Sequence, residues 1–439
     1  MSTVTVNFNN HVSTIKPMHA VNNGPKLAGR GQIRSNYETY KALNIPYART
    51  HDASICYDYG AEHCIDVNGI FPDFNADVNE PTNYDFFLTD QYLKSIMDAG
   101  AKVYYRLGSR IEHWDKKYNT LPPKDFKKWA EICEHIIAHY TEGWADGFKW
   151  DIEYWEIWNE PEVKEGQDPK TKNTWGGTTE QFYDFYETAA KHLKTRFPHL
   201  KIGGPALCYD HNWGRNFIQE MSARNVPIDF YSWHLYHNRT YKFKEDAETV
   251  RKYLNEFGYT ETESHLNEWN YVLDWRDRFV ESLLVIAGAK GAAYILAAMI
   301  ECQHSSVDLL MYYDARIDTV WNGLWNLITL KPQHQYYSLY YFSKLFELKN
   351  EVLSSSDDED IYTLAATDGN KKAGMIVYYT HDETATSKHV IISFKGTSDQ
   401  IEFYEVSNLK FNQKIDVNVQ NGKVELVIEP DAIIYYSEK

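Results

Sequence analysis

From about residue 15 to about residue 340, short β-rich runs alternate with longer stretches whose apolar residues recur at helical spacing. Parallel strands need long crossovers, usually helical, so alternating β and α units predict a parallel sheet with helices outside it. The strand candidates are Ile15 to His19, Tyr47 to His51, Ala101 to Arg106, Trp155 to Asn159, Lys201 to Gly204, Phe230 to Tyr236, Ser264 to Asn267 and Leu309 to Tyr312. Amphipathic stretches such as Phe126 to Tyr140 and Thr179 to Phe197 lie between them. Eight such units predict a closed (β/α)8 TIM barrel.

After about Phe346 the pattern changes to short alternating strands, with turn signals at Asp368-Gly369-Asn370 and Asn421-Gly422. The division expected is a catalytic barrel over 14–345 and an accessory C-terminal β-sandwich over 346–439, with the strand-like residues 1–13 joining that sandwich. The run Ser354-Ser355-Ser356-Asp357-Asp358-Glu359-Asp360 reads as a solvated loop.

Charge narrows the partners. With 45 Lys+Arg against 62 Asp+Glu the formal charge is -17, which disfavours nucleic acid and anionic membranes and suits neutral ligands. The 13 Trp and 34 Tyr supply flat amphipathic rings of the kind that stack on sugars as well as filling cores. Cys56, Cys64, Cys133, Cys208 and Cys302 are too scattered for a disulfide framework, and only Cys56 and Cys64 are close enough for a local bridge. The apolar stretch Gly288 to Ile300 has the length of a buried helix rather than a membrane span. Met1 leads directly into Val4-Thr5-Val6 without a signal-like apolar region, as expected of a cytoplasmic protein or of one whose leader has been removed.

In a barrel of this kind the working residues project from the C-terminal strand ends. The fourth strand reads Trp155-Glu156-Ile157-Trp158-Asn159-Glu160-Pro161, and Pro161 stops it with Glu160 at the mouth. There Asn159 would hold a sugar hydroxyl, and Trp158 would wall Glu160 and raise its pKa toward that of a general acid. The seventh strand carries a second carboxylate, Glu268, in Asn267-Glu268-Trp269-Asn270. Two carboxyls about 5 to 5.5 Å apart suit double displacement at an anomeric carbon. Period-two alternation puts Ser232, His234 and Tyr236 on one face of the sixth strand, and Tyr47, Arg49 and His51 on one face of the second. Arg49 and the Tyr236 hydroxyl would keep Glu268 ionised and oriented. His51, Asp52, His63 and Cys64 offer no tight ligand spacing on one element, so neither metal nor cofactor is expected.

These motifs, with His234-Leu235-Tyr236, resemble the signatures of clan A glycoside hydrolases, and those of family 39 above all. Arg49-Thr50-His51, Leu121-Pro122-Pro123-Lys124-Asp125-Phe126, Gly203-Gly204-Pro205-Ala206, Val226-Pro227-Ile228-Asp229-Phe230 and Lys331-Pro332 continue the resemblance in the same order across nearly the whole barrel. It implies the fold of β-xylosidases and α-L-iduronidases, with Glu160 as acid/base, Glu268 as nucleophile, Asn159 on a sugar hydroxyl, and His51, His234 and Tyr236 lining the same subsite. Loops shorter than those larger relatives use for contacts imply a monomer.

Departures from that pattern bear on substrate. Trp233 stands where the xylosidases place arginine, Asp52 where they have glycine, and Met311-Tyr312-Tyr313-Asp314-Ala315-Arg316 replaces their eighth strand. Arg316 could read a uronate carboxylate or could instead pair with Asp314 or Asp318. Trp114, Trp175, Trp321 and Trp325 are open as stacking platforms. The expectation is a retaining glycosidase on a terminal, neutral, β-linked pentose or hexose. The alternatives are a transglycosylase, a uronate-specific glycosidase and a non-catalytic carbohydrate-binding protein.

Overall fold

The computed structural model describes residues 1–26, 34–53, 63–163, 167–168, 171–317 and 319–439. Strand β1 (Ser2–Thr14) leads into eight parallel strands that close into a barrel: β2 (Ala20–Asn22), β3 (Tyr47–Thr50), β4 (Lys102–Leu107), β5 (Tyr154–Ile157), β6 (Lys201–Leu207), β7 (Phe230–Tyr236), β8 (Glu263–Asn270) and β9 (Leu309–Tyr312). Closure is direct, with Ala20 of β2 in register with Met311 of β9.

The expected first strand, Ile15 to His19, is instead the connection leading into β2. Pro17 has no N–H for a ladder, and the His19 ring packs edge-on against Phe346 at 5.0 Å. The helices follow the apolar spacing closely, as Phe126–Thr141 and Thr179–Arg196. Each starts at a side chain that accepts N–H groups of the first turn: Asp125 for the former, and Thr178, in a reciprocal capping box with Gln181, for the latter. The apolar stretch near Ile300 forms a helix, Ala289–Gln303, buried along almost its whole length. Among the described residues no single helix is long and apolar enough to cross a membrane.

The barrel interior is layered. At its N-terminal end Ala20, Tyr104, Tyr154, Phe230, Leu309 and Met311 form an apolar plug, with Tyr104 stacked on Tyr154 at 5.3 Å. One layer higher the buried side chains become polar: Asn22, Arg49, Glu156 and Asn267. That change of polarity along the axis sets the site at the C-terminal end.

After the last barrel helix (His334–Leu348), the chain forms β10 (Asn350–Ser356), β11 (Ile361–Thr367), β12 (Lys372–Tyr378), β13 (Lys388–Lys395), β14 (Ile401–Val406), β15 (Gln413–Ile415), β16 (Lys423–Ile428) and β17 (Ile433–Glu438). They share one sheet with β1, in the order β15-β14-β17-β12-β11-β10-β1-β13-β16. β1 lies antiparallel to β10 and parallel to β13. Phe394 of β13 nevertheless meets Tyr436 of β17 with ring centroids 5.1 Å apart. Strands so distant in the sheet order touch only if the sheet curls over itself, which produces the two packed layers of a sandwich.

The serine-acid run is not a loop throughout. Ser354 to Ser356 pair with β1, and Asp358 takes Lys388 Nζ at 2.7 Å. The turn at Asn421 and Gly422 has φ 52 and 72, the left-handed pair that a tight hairpin favours. The Cys56–Cys64 pairing falls partly outside the described residues. Phe394→Ala, by emptying the contact between the layers, is expected to cost about 3 to 5 kcal/mol in chemical denaturation. A loss below about 1 kcal/mol would mean that the two layers do not depend on this contact.

Candidate active site

Arg49, on the inward face of β3, is wholly buried and makes four connections. Its Nε donates to Glu156 Oε2 at 2.7 Å, Nη1 to Asn22 Oδ1 at 3.0 Å and to Glu268 Oε2 at 3.1 Å, and Nη2 to Asn159 Oδ1 at 2.6 Å. Burial alone would ease its proton off, but Glu156 and Glu268 outweigh burial and hold it firmly charged. Arg49 therefore lies beneath the cleft and sets two of its residues. Glu156 is tied further by Asn267 Nδ2 at 2.5 Å.

Asn267 and Glu268 are neighbours in β8, yet both turn inward. Strict alternation would send one of them outward. Pairing with β7 runs Trp233 to Leu266 and then His234 to Glu268, so Asn267 is an extra residue in β8, a bulge that re-aims Glu268. The Tyr236 hydroxyl then donates to Glu268 Oε1 at 2.5 Å.

At the end of β5, Trp158 and Glu160 adopt φ of 71 and 50, left-handed values that non-glycine residues avoid. The strain is held by Trp158 N donating to Leu107 O at 2.7 Å, Glu160 N to Ala206 O at 2.9 Å, and Thr174 Oγ1 to Glu160 O at 2.5 Å. The Trp158 indole is thereby turned away from Glu160, donating to Thr174 O at 2.8 Å and packing on Trp175 with centroids 5.2 Å apart.

His234 joins the two acids. Its Nδ1 is 3.0 Å from Glu160 Oε1 and its Nε2 3.6 Å from Glu268 Oε2. One ligand atom from each of Glu160, His234 and Glu268 lies within 4.8 Å of the others. The expected raising of Glu160's pKa by an apolar wall is reversed: burial pushes upward, but His234 outweighs it and draws the carboxyl down to about 2. Burial disfavours charge on His234, yet Glu268 and Glu160 together raise its pKa. The triad is compact enough to hold a cation, but the Arg49 guanidinium against Glu268 opposes one.

The cleft above holds about 1020 Å³ and is lined by Glu160, His234, Tyr236, Glu268, Tyr313 and Trp321, among others. Asn159 Nδ2 is buried beside it without a partner among the described residues, a donor available to a hydroxyl. His51 Nε2 lies 4.0 Å from Glu268 Oε2, and its Nδ1 lies 3.1 Å from Asp52 Oδ2. Trp233 is not brought to the cleft: its place in β7 sends it outward, where Nε1 donates to Ser264 Oγ at 3.1 Å. Arg316 is engaged by Asp314 and Asp52, at 3.5 Å each. Trp175 and Trp325 are buried in the core, Trp114 is partly exposed, and Trp321 faces the cleft.

Two further buried carboxylates, Glu156 and Glu162, belong to the site without a role assigned from the sequence, and Asp314, foreseen only as a partner of Arg316, is a third. Glu156 belonged to a quoted motif, and its alternation with Tyr154 could have marked it as inward. Glu162 accepts from the backbone N–H groups of Cys208 and Tyr209 at 2.5 and 3.0 Å, and burial raises its carboxyl to about 7. Asp314, buried beside Asp52, is likewise raised to about 7 by burial. Nothing in local sequence signals either burial.

The coupling of His234 and Glu160 has a definite sign. The lowered Glu160 carboxyl contributes stability that is present above 4.5 and lost as pH falls toward about 2, whereas the raised His234 contributes stability that is present below 6.5 and lost as pH rises through its folded value. His234→Gln is therefore expected to shrink the stability lost at both ends of the pH range, as read by denaturant unfolding at a series of pH values. An unchanged profile would contradict the pairing.

The glycosyl hydrolases family 39 model matches residues 38–277, more than half of the chain. A β-xylosidase of Geobacillus stearothermophilus is 26% identical over 234 residues, 46% of this chain and 44% of the relative. A β-xylosidase of Caldicellulosiruptor saccharolyticus is 28% identical over 164 residues, 35% of this chain and 31% of the relative. The match thus spans less than half the length of either enzyme. Among solved structures, a glucosidase from Croceicoccus marinus aligns with TM-score 0.80 at 20% identity, over 100% of this chain and 98% of that one. A monomeric β-xylosidase from Caulobacter crescentus CB15 aligns with TM-score 0.73 at 15% identity, over 99% of each. At those identities the structures speak for the fold, while the family model speaks for descent: the chain belongs to glycosyl hydrolase family 39.

Proposed function

We propose that the chain is a retaining glycosidase with Glu268 as nucleophile and Glu160 as acid/base. The observation that carries this reading is the separation of the two carboxylates, whose oxygens come within 4.8 Å of each other. Inverting enzymes leave about 6.5 to 9.5 Å between the carboxyls, to admit a water. Glu268, oriented by Arg49 and Tyr236, attacks the anomeric carbon while Glu160 protonates the departing oxygen. The proton comes from the His234–Glu160 pair, since its transfer across their 3.0 Å contact gives neutral Glu160. Ester formation consumes the charge of Glu268 that helped hold this proton. Glu160, left ionised once its proton has gone to the departing oxygen, then takes a proton from water as the water oxygen displaces Glu268 from the anomeric carbon.

The favoured substrate is a neutral, β-linked pentose or hexose at a glycan end, with xylose or arabinose first. Engagement of Arg316 by Asp52 and Asp314 supports a neutral sugar over a uronate. A cleft of about 1020 Å³ has room beyond one sugar ring, so an acceptor sugar could also replace water. A purely binding role sits poorly with two complete, oriented carboxylates. A monomer fits this reading. Glu268→Gln is expected to cut kcat on aryl glycosides by at least about 10³-fold, a loss of the order seen when groups acting in the transition state are removed. Azide should rescue Glu268→Ala as a glycosyl azide of inverted configuration and Glu160→Ala as one of retained configuration, both read by NMR. Undiminished turnover by Glu268→Gln would sink the mechanism.

A further inference from the structure

We propose that the accessory sandwich holds one wall of the substrate cleft in shape, with Tyr379 and Tyr362 as positioning residues on the segment that follows β7. This rests on the glycosidase reading above. β7 delivers His234 and Tyr236 to the carboxylates, and the chain then leaves the barrel through His237 to Thr240. The barrel itself offers this exit a long hydrogen bond, His237 N to Asn270 O at 3.3 Å.

Three tyrosine hydroxyls supplement it. Tyr294, on the barrel helix Ala289–Gln303, donates to His237 O. Tyr379, one residue beyond β12, donates to Asn238 O at 3.0 Å, and Tyr362 of β11 shares a 2.9 Å hydrogen bond with Thr240 Oγ1. Thr240 is the N-cap of the helix Tyr241–Glu256. The Tyr294 and Tyr379 rings also meet at 5.6 Å, edge to face. Two of the three hydroxyls therefore come from the other domain, and all three converge on four consecutive residues.

The segment borders the site at His237 and just beyond its end at Lys242. His237 and Lys242 line the same cleft as Glu160, and Lys242 Nζ reaches Asp246 at 3.3 Å in that wall. Glu160 faces the departing group, so the wall beside it is the one a leaving-group sugar meets. The domains are also joined elsewhere, by Tyr341 stacked on Tyr435 at 4.2 Å and by His304 Nε2 at 2.7 Å from Glu351 Oε1. Loss of the tyrosine hydroxyls should loosen the wall without separating the domains.

The test uses the full chain with Tyr379→Phe, Tyr362→Phe, the double variant, and His304→Ala as an interface control. Each is measured with an unsubstituted glycan and with an aryl glycoside of the same terminal sugar. The double variant is expected to raise KM for the glycan about three- to tenfold, the scale of a lost hydrogen bond or two. Its kcat should stay within about twofold and its KM for the aryl glycoside should hold, while amide exchange over 237–242 speeds up and His304→Ala changes none of these. The proposal is overturned if glycan KM and exchange over 237–242 are unchanged, or if His304→Ala reproduces the effect. Inactivity of the unaltered protein on every glycoside would instead count against the glycosidase reading, and amide exchange would still decide the bracing.

Discussion

The site is organised around one buried cation. Arg49 sits inside the barrel with its guanidinium divided among Glu156, Glu268, Asn159 and Asn22, so β2, β5 and β8 are referred to a single side chain on β3. A charge so deep is tolerable only when its donors are met, and here the fork geometry of arginine meets them in a plane. Glu156 compensates it from below and Glu268 from above. Lysine could keep the charge but could not hold four partners in fixed directions.

With that floor set, the geometry of the site is reached by breaking regular structure at strand ends. A bulge in β8 lets adjacent Asn267 and Glu268 both face inward. Left-handed backbone at Trp158 and Glu160 swings the Glu160 carboxyl over the mouth. Both departures cost energy, and both are held by hydrogen bonds from neighbouring strands and loops. His234 then spans the gap between Glu160 and Glu268, so its titration is coupled to theirs.

The second domain is built from both chain ends. β1 is inserted between β10 and β13 before the chain enters the barrel, so the sandwich cannot be complete without the N-terminus. The same sandwich meets the barrel's exit from β7 through the hydroxyls of Tyr379 and Tyr362.

Much of this was legible in the chain. Period-two and helical spacing located seven of the eight barrel strands, because a strand covered on one side by helices and on the other by core leaves a strong apolar record. The motifs around Glu160 and Glu268 locate those carboxyls because proline and the strand ends constrain where the side chains emerge. The first strand was misplaced because it has only three residues, Ala20–Asn22, too few to show alternation. The sequence by itself determined the architecture, the two carboxylates and the arginine beneath them. Tertiary structure alone decided that Trp158 turns away, that Trp233 faces outward, that Arg316 is engaged by Asp52 and Asp314, and that His234 rather than an apolar wall governs the proton on Glu160. Those outcomes depend on which side chains meet across strands far apart in sequence, and on desolvation at the point of meeting, neither of which local pattern encodes.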